Sequence, residues 1–117
     1  MDNKTLALVS YITIIGWAIS FISYNKQAKN SLVSYHLKQS FGLFLVYLVY
    51  WFLAVIAVTI LAIVFSFSLA KIVDKISYLG YLVFFALIII GIINASKEEE
   101  KPLPIIGQVF EDRFNFV

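Results

Sequence analysis

Hydrophobic residues occur along this chain in long runs that short polar segments separate. The longest charge-free stretch extends from Gln39 to Ala70, and its 25 residues from Phe41 to Phe65 are almost wholly apolar. Crossing the hydrocarbon core of a bilayer takes about 20 helical residues, because that core is roughly 30 Å thick. The pattern therefore predicts an integral membrane protein.

Backbone groups in lipid must be hydrogen-bonded internally, so membrane spans are helices or closed barrels. The apolar runs here are continuous rather than alternating, which favours an all-α protein over a barrel. We predict one membrane domain over residues 1–117, built as a three-helix transmembrane bundle. The spans are expected at about 6–24, 41–67 and 76–95, followed by a tail over 96–117.

The second apolar segment is longer than a bilayer requires, since a helix over residues 31–68 would measure about 57 Å. Aromatic residues typical of a headgroup-level belt cluster within it at Tyr47, Tyr50 and Trp51. This belt predicts a core span over 51–67 that is preceded by an interfacial lead-in over 31–46. The alternative is a span from Phe41 with the aromatic residues buried in the bundle. No glycine, proline or asparagine lies between Leu43 and Phe65, so two spans are not expected there.

Small residues recur four positions apart in the first and third spans. The pairs are Gly16 with Ser20 and Gly91 with Ala95. Small residues at this spacing let helix backbones approach closely in lipid, so these four are predicted helix-packing positions. The serine hydroxyls of the first span could equally bond to their own helix.

The tail combines a charged exit from the membrane with an apolar, proline-containing segment. Pro102 and Pro104 hold the chain extended, and Pro104 suits the first position of a short helix. Apolar residues that would share one helical face are Ile105, Ile106, Val109, Phe110 and Phe114. The pattern predicts a C-terminal amphipathic segment in the interface, with a frayed tail as the alternative.

Basic residues in the short loops predict the orientation in the membrane. The first loop and the lead-in carry Lys26, Lys29 and Lys38, and the tail adds Lys97, Lys101 and Arg113. The opposite side would carry Lys4, Lys71 and Lys75. Six against three favours a cytoplasmic tail and an N-terminus outside. Loose charge pairing is then expected between Glu98, Glu99 and Glu100 and the three lysines of the first loop and lead-in.

Composition supports the membrane assignment and excludes several classes of function. The chain is 62% hydrophobic and 14% charged, whereas soluble domains are about 45–50% apolar and about 25% charged. A net charge of +2 gives no nucleic-acid footprint. With one histidine, no cysteine and no nucleotide-binding or nucleophile motif, we predict no metal site, no cofactor and no catalytic residues.

The most distinctive polar stretch is Tyr35-His36-Leu37-Lys38-Gln39, at the entry to the longest apolar run. His36 and Gln39 are three residues apart and are therefore neighbours on a helix. Histidine changes charge near neutral pH, which makes His36 a candidate pH-sensitive contact or partner contact. The alternative is an interfacial residue that bonds to lipid headgroups, to Gln39 or to the tail.

Two segments of the chain resemble a known family. They are Ser-Tyr-His-Leu-Lys-Gln-Ser-Phe-Gly-Leu and Gly-Ile-Ile-Asn-Ala-Ser-Lys-Glu-Glu-Glu-Lys-Pro-Leu-Pro-Ile-Ile-Gly. They are similar to segments of small bacterial membrane proteins labelled import-component-like, distant relatives of the twenty-kilodalton subunit of the chloroplast inner-envelope (Tic) translocon. The positions that match the family pattern are His36, Lys38, Gln39, Asn94, Pro102, Pro104 and Gly107.

The resemblance implies a multi-pass protein of the bacterial inner membrane with a possible link to protein translocation. We therefore expect a non-enzymatic accessory subunit that binds the lipid bilayer and another membrane protein or a second copy of itself. The matched positions are the candidate partner contacts. An oligomeric channel or transporter is the alternative, because three helices per protomer could assemble around an axis.

Overall fold

The computed structural model describes residues 2–26, 31–111 and 113–114. Helices α1 (Asn3–Val9) and α2 (Ile14–Lys26) precede two long helices, α3 (Ser31–Ile60) and α4 (Phe67–Ser96). A π-helical segment, Leu61–Phe65, continues α3, and a short helix α5 (Gly107–Glu111) lies in the tail. No strand occurs among the described residues, and the all-α prediction is confirmed.

The predicted first span over 6–24 is not one helix, because the chain turns between α1 and α2. The hydroxyl of Ser10 donates to the backbone oxygen of Ala7 at 2.7 Å. The hydroxyl oxygen of Thr13 accepts from the backbone N–H of Gly16 at 3.1 Å and so caps the start of α2. Hydroxyl side chains thus end one helix and begin the next, and no third helix of spanning length occurs in the described residues.

Asp2 caps the start of α1, since its carboxylate accepts from the backbone N–H of Thr5 at 2.8 Å. Hydrogen bonding from Thr5 lowers the pKa of the Asp2 carboxyl. Helices α1 and α2 then pack against each other, since the Ser20 hydroxyl donates to the backbone oxygen of Leu6 at 2.7 Å. The two short helices form a compact antiparallel pair.

Helices α3 and α4 form a long antiparallel hairpin. The chain reverses at Ser66, which is extended (φ −157°, ψ 154°) and whose hydroxyl caps α4 at the backbone N–H of Leu69. Tyr50 donates its hydroxyl proton to the backbone oxygen of Ser77 at 2.8 Å, which sets the register of the two helices. The charged segment over 71–75, expected to be a loop between spans, lies within α4.

The aromatic cluster of α3 follows neither sequence expectation completely. Tyr47 and Tyr50 pack against Tyr81 and Phe84 of α4, with ring centroids 5.4–5.9 Å apart. Trp51 stays on the outer surface with 45% of its side chain exposed. Two of the three aromatic residues therefore join the helices, and the third faces outward.

The molecule is elongated, at 55 × 24 × 22 Å, and its two ends differ. We call "packed end" the assembly of α1, α2, residues 31–43 of α3, residues 87–96 of α4 and the tail from Lys97. We call "hairpin" residues 44–86. In the hairpin Ala70 is the one buried residue, whereas the packed end holds both hydrophobic core clusters.

The start of α3 is buried and does not form an interfacial lead-in. Its buried residues are Val33, His36, Leu37, Gln39, Ser40, Gly42 and Leu43. Helices α1, α2 and α4 and the tail surround this segment. Of the polar residues that suggested contact with lipid headgroups, His36, Gln39 and Ser40 are buried within the protein, and Lys38 is half-buried.

Both ends of the described chain lie at the same end of the molecule. Asn3, near the N-terminus, lines one polar depression together with Ser31, Glu98 and Glu100. Helix α1 runs away from this level and α2 runs back toward it, so the pair begins and ends at the same end of the molecule. This arrangement leaves α3 and α4 as the long helices of the fold.

Candidate functional site

His36 lies fully buried at the centre of the packed end, where three segments of the chain meet. Its Nε2 lies 2.8 Å from the backbone oxygen of Glu99, and its Nδ1 lies 2.7 Å from the hydroxyl oxygen of Tyr11. A carbonyl oxygen only accepts, so Nε2 carries a proton and donates it to Glu99. In the neutral ring Nδ1 then accepts from Tyr11, and the imidazole joins α3, the tail and the turn between α1 and α2.

Gln39 holds the tail through both ends of its side-chain amide. Its Nε2 donates to the backbone oxygen of Gly107 at 2.7 Å, and its Oε1 accepts from the backbone N–H of Leu103 at 3.1 Å. Gln39 is fully buried, as is the apolar side chain of Leu103 at 2% exposure. One side chain of α3 thus supplies the donor and the acceptor that two buried tail residues need.

Apolar contacts of the tail follow the same face of α3. The ring of Phe110 packs on Gly42 so closely that a Cβ there would lie 2.5 Å from ring atoms. Phe114 meets Phe41 edge-on, with ring centroids 4.8 Å apart. Tyr35 adds a hydrogen bond from its hydroxyl to Oε1 of Glu111 at 2.7 Å.

The tail therefore docks on α3, and only part of the predicted apolar face is turned toward the protein. Its inward residues are Leu103, Gly107 and Phe110, whereas Ile105 is 91% exposed and Val109 is 55% exposed. Helix α5 also begins later than predicted, because residues 104–106 form a turn. Asp112 and residues 115–117 of the predicted tail lie outside the described residues.

The turn between α1 and α2 contacts α4 through an aromatic side chain. The ring of Tyr11 lies directly against Gly91, where even a methyl side chain would overlap its ring atoms. Tyr11 is fully buried, and its hydroxyl is held by His36. The absence of a side chain at Gly91 therefore leaves room for Tyr11, in the turn after α1, beside His36.

The residues predicted as partner contacts divide into two groups. His36, Gln39 and Gly107 take part in the hydrogen bonds that join α3 to the tail, and Pro102 lies against Gly107. The others lie apart from it: Lys38 is half-buried on another face of α3, Asn94 is half-buried near the end of α4, and Pro104 is exposed.

The predicted packing positions all lie within the packed end. Gly16 faces Val9 of α1, where a Cβ would lie 2.5 Å from the Val9 backbone oxygen. Ser20 bonds to α1 at Leu6, as described above, and Ala95 is buried in the core cluster that also contains Tyr11. The Gly16–Ser20 pair therefore packs α2 on α1.

Of the pairs predicted between the tail glutamates and Lys26, Lys29 and Lys38, the described residues test only those of Lys38. Glu99 pairs instead with Lys101, at 3.0 Å on the surface. Lys38 has no carboxylate partner among the described residues. Lys29 lies outside the described residues, and the side chain of Lys26 is not described.

Sequence reasoning did not single out Tyr11, Tyr35 or Leu103 as members of the network. Tyr11 carried a usable signal, because a tyrosine hydroxyl inside an apolar run needs a hydrogen-bond partner. Its partner His36 is 25 residues away. No local pattern specifies a pairing over that distance.

The buried network has the chemistry of a structural joint. All buried side-chain nitrogen and oxygen atoms in the described residues have hydrogen-bond partners. The described residues also contain no group of three or more potential metal ligands. The arrangement can hold α3, the tail and the turn between α1 and α2 together, and its polar atoms are already occupied in doing so.

Charged residues mark two levels along α4. Lys75 and Lys97 are 22 positions apart, a rise of about 33 Å. Every residue between them is uncharged, and a bilayer's hydrocarbon core is roughly 30 Å thick. The uncharged part of α4 therefore matches the thickness of that core.

Beyond the level of Lys75 the hairpin continues as an apolar projection. We call residues 56–70 the "hairpin tip"; they include the π-helical segment and the turn at Ser66 and contain no charged residue. Its most exposed side chains, each at least half exposed, are Ile60, Ile63, Val64, Phe65 and Phe67. The tip is therefore an apolar surface that lies beyond Lys75, at the end of the molecule opposite the packed end.

The fold and these surfaces define a class: an all-α protein with two helices long and apolar enough to cross a membrane, Ser31–Phe65 and Phe67–Ser96. The apolar part of α2, Ile14–Tyr24, is shorter than a span requires. No family model, curated protein or solved structure matches the chain. The function is therefore inferred from the network, the charged levels and the tip.

Proposed function

We propose that this chain is a non-enzymatic accessory protein of a membrane that binds another protein through the hairpin tip. The apolar surface of the tip, beyond the charged residues of α4, is the observation that carries the proposal. The buried polar groups of the packed end support the non-enzymatic part of the proposal, because their hydrogen bonds join segments of the chain.

The charged levels suggest where the bilayer lies on the molecule. A hydrocarbon core placed between Lys75 and Lys97 contains only uncharged residues of α4. Outward apolar residues of α2 lie near the same depth and are Ile14, Ile15, Ile19 and Ile22. In this placement α1 and α2 dip into the membrane from one side, and the crossing helices are α3 and α4. It differs from the predicted core span over 51–67.

This placement puts both termini on one side of the membrane. Seven of the nine lysine and arginine residues lie before residue 44 or after residue 93, and the other two are Lys71 and Lys75. The positive-inside rule then places both termini on the cytoplasmic side. A topology reporter fused to either terminus should give the cytoplasmic signal, and signals from opposite sides would restore three spans.

The tip in this placement lies past the second membrane interface. Monomeric soluble surfaces rarely expose large contiguous apolar patches, and such patches commonly mark protein–protein contacts. A π-helical segment at this position is in keeping with a binding role, because π-helical turns are frequent at functional sites. The proposed partner is a membrane protein with an apolar surface on the side opposite the packed end.

The likeness to import-component-like proteins makes the proposal more specific about the partner. It suggests that the partner belongs to the apparatus of protein translocation in a bacterial inner membrane. The likeness concerns the segments around His36 and Pro102, which lie in the packed end. It therefore supports the class of process and does not bear on the tip.

Photocrosslinking at matched positions tests the proposal. A photoreactive residue would replace Phe65 in the tip or, as a control, Leu82 in the proposed bilayer region; these are 69% and 64% exposed. We expect a reproducible protein adduct from position 65 in cells and mainly lipid adducts from position 82. Purification in mild detergent should retain the same protein.

Two other outcomes would contradict the proposal. A monodisperse monomer without protein adducts at position 65 would remove the partner. An adduct with twice the mass of the chain would favour self-association, the first requirement of an oligomeric channel. Ion flux in reconstituted vesicles would then test that alternative directly.

A further inference from the structure

An apolar groove runs along the side of the hairpin, just below the packed end. Its volume is about 510 Å³, within the usual range of ligand pockets. Phe41, Phe44 and Leu48 of α3 form one wall, and Phe84, Phe85 and Ile88 of α4 form the other. Its lining is almost entirely hydrocarbon, so it suits an apolar ligand.

The groove exists because α2 is too short to cover it. Ile14, at the start of α2, lies at its upper edge. Trp17 follows one turn later and contacts Phe41, with ring centroids 5.1 Å apart. A longer first helix would have continued over the two walls, and the turn between α1 and α2 leaves them open toward the proposed bilayer.

A positive charge stands at the upper end of one groove wall. Lys38, Phe41, Leu45 and Leu48 occupy positions i, i+3, i+7 and i+10 of α3 and so share one helical face. Lys38 precedes Phe41 by about 4.5 Å along the axis and has no carboxylate partner among the described residues. Arg113 adjoins Phe114, which packs on Phe41.

We infer that this groove binds an anionic phospholipid of the bilayer, with an acyl chain in the groove and the phosphate near Lys38. Lysine side chains place the ammonium group at the interface while their methylenes cover apolar surface. Anionic lipids of the cytoplasmic leaflet attract basic residues at this level. The site requires the proposed membrane placement but not the tip or its partner.

Quenching of Trp17 by brominated lipid tests the inference. The full chain carries two tryptophans, so Trp51→Phe leaves Trp17 as the reporter. The protein would be reconstituted in phosphatidylcholine vesicles containing a small fraction of phosphatidylglycerol brominated on its acyl chains. Vesicles with the same fraction of brominated phosphatidylcholine give the comparison. We expect stronger quenching by the anionic lipid.

Two lysine variants then assign the preference. Lys38→Gln should weaken the apparent affinity for brominated phosphatidylglycerol about fivefold, the effect of one basic residue near an anionic surface. Lys97→Gln is the matched control, because Lys97 is an exposed lysine at the end of α4, and it should keep the preference. Circular dichroism would confirm that both variants are folded.

Three results would overturn the inference. Equal quenching by the two brominated lipids would show ordinary contact with surrounding lipid. Equal losses in Lys38→Gln and Lys97→Gln would show a general charge effect without a site. A photoreactive residue at position 48 that captured a protein helix in cells, and no lipid, would show that a partner fills the groove.

Discussion

The packed end and the hairpin use the same kind of helix in opposite ways. In the packed end α3 is surrounded, and its buried polar residues His36 and Gln39 each bond to two other groups. In the hairpin the same helix continues with apolar residues that stay largely exposed. A single helix therefore changes from a core element to a surface element near Leu43.

This difference shows where the fold obtains its specificity. Lipid is as apolar as leucine, so an apolar helix pair in a membrane gains little from burying hydrocarbon and depends on packing and hydrogen bonds. A buried amide or imidazole is costly unless paired, so it permits few arrangements. We therefore expect substitutions in the packed end to be far more damaging than similar ones in the hairpin.

The largest effect is expected from Gln39→Ala. The substitution leaves the N–H of Leu103 buried without its partner, at about 1–3 kcal/mol. It also removes the side-chain hydrogen bond to the carbonyl of Gly107 and leaves space where the buried amide was. We expect a loss of about 2–5 kcal/mol in the free energy of unfolding in detergent micelles. Proteolysis of the tail should accelerate as well.

The matched control is Gln108→Ala, since Gln108 is an exposed glutamine in the same tail. It should leave both stability and proteolysis unchanged. Equal behaviour of the two variants would mean that Gln39 does not hold the tail.

Two glycine substitutions compare the packed end and the hairpin directly. At Gly91 an added methyl would overlap the ring of Tyr11, which is buried and hydrogen-bonded to His36. At Gly80 the overlap is with the hydroxyl end of Tyr50, a half-buried side chain that can swing outward. Gly91→Ala should cost about 1–3 kcal/mol of stability.

Gly80→Ala should change stability by less than about 1 kcal/mol, because alanine's higher helix propensity offsets a small rearrangement. Thermal unfolding of both variants in one detergent gives the measurement. A larger loss at position 80 would reverse the ranking of the two regions.

Tyr11→Phe should have a moderate effect. It leaves Nδ1 of His36 buried without its donor while keeping the aromatic ring on Gly91. We expect a loss of about 1 kcal/mol in the free energy of unfolding. Tyr78→Phe, at an exposed tyrosine of the hairpin, is the control, and an equal loss there would argue against a structural role for the Tyr11–His36 bond.

The smallest effect is expected from reversing the charges of Glu98, Glu99 and Glu100 to lysine. The tail is held here by the backbone oxygen of Glu99, while its side chain makes only a surface pair with Lys101. Surface pairs contribute about 0–1 kcal/mol. The fold should survive with a slightly loosened tail, as hydrogen exchange at Leu103 and Gly107 would report; global unfolding would contradict this.

Apolar pattern alone was sufficient to predict the helical class and the two long helices. It failed where short polar side chains decide the outcome. The turn between α1 and α2 contains neither glycine nor proline, and hydroxyl groups of Ser10 and Thr13 produce it. Ser66 likewise reverses the chain with a capping hydroxyl, so the expected loop over 71–75 became part of α4.

The polar network was predictable only in part. His36 and Gln39 stood out as polar residues at the edge of an apolar run, and their three-residue spacing placed them near each other. Their partners lie 25 to 68 positions away, and periodicity contains no information about such pairings. The sequence did not predict that the start of α3 is buried, for the same reason: the segments that cover it come from both ends of the chain.

The wide separation of Gln39 from its partners also sets an order of events during synthesis. Leu103 and Gly107 follow it by 64 and 68 residues, which a ribosome adds in about 3–14 s at 5–20 residues per second. During those seconds the amide of Gln39 and the ring of His36 lack the tail residues to which they bond in the folded protein. The packed end can close only after the tail has been made, so a chain shortened before Leu103 would lack the means to complete it.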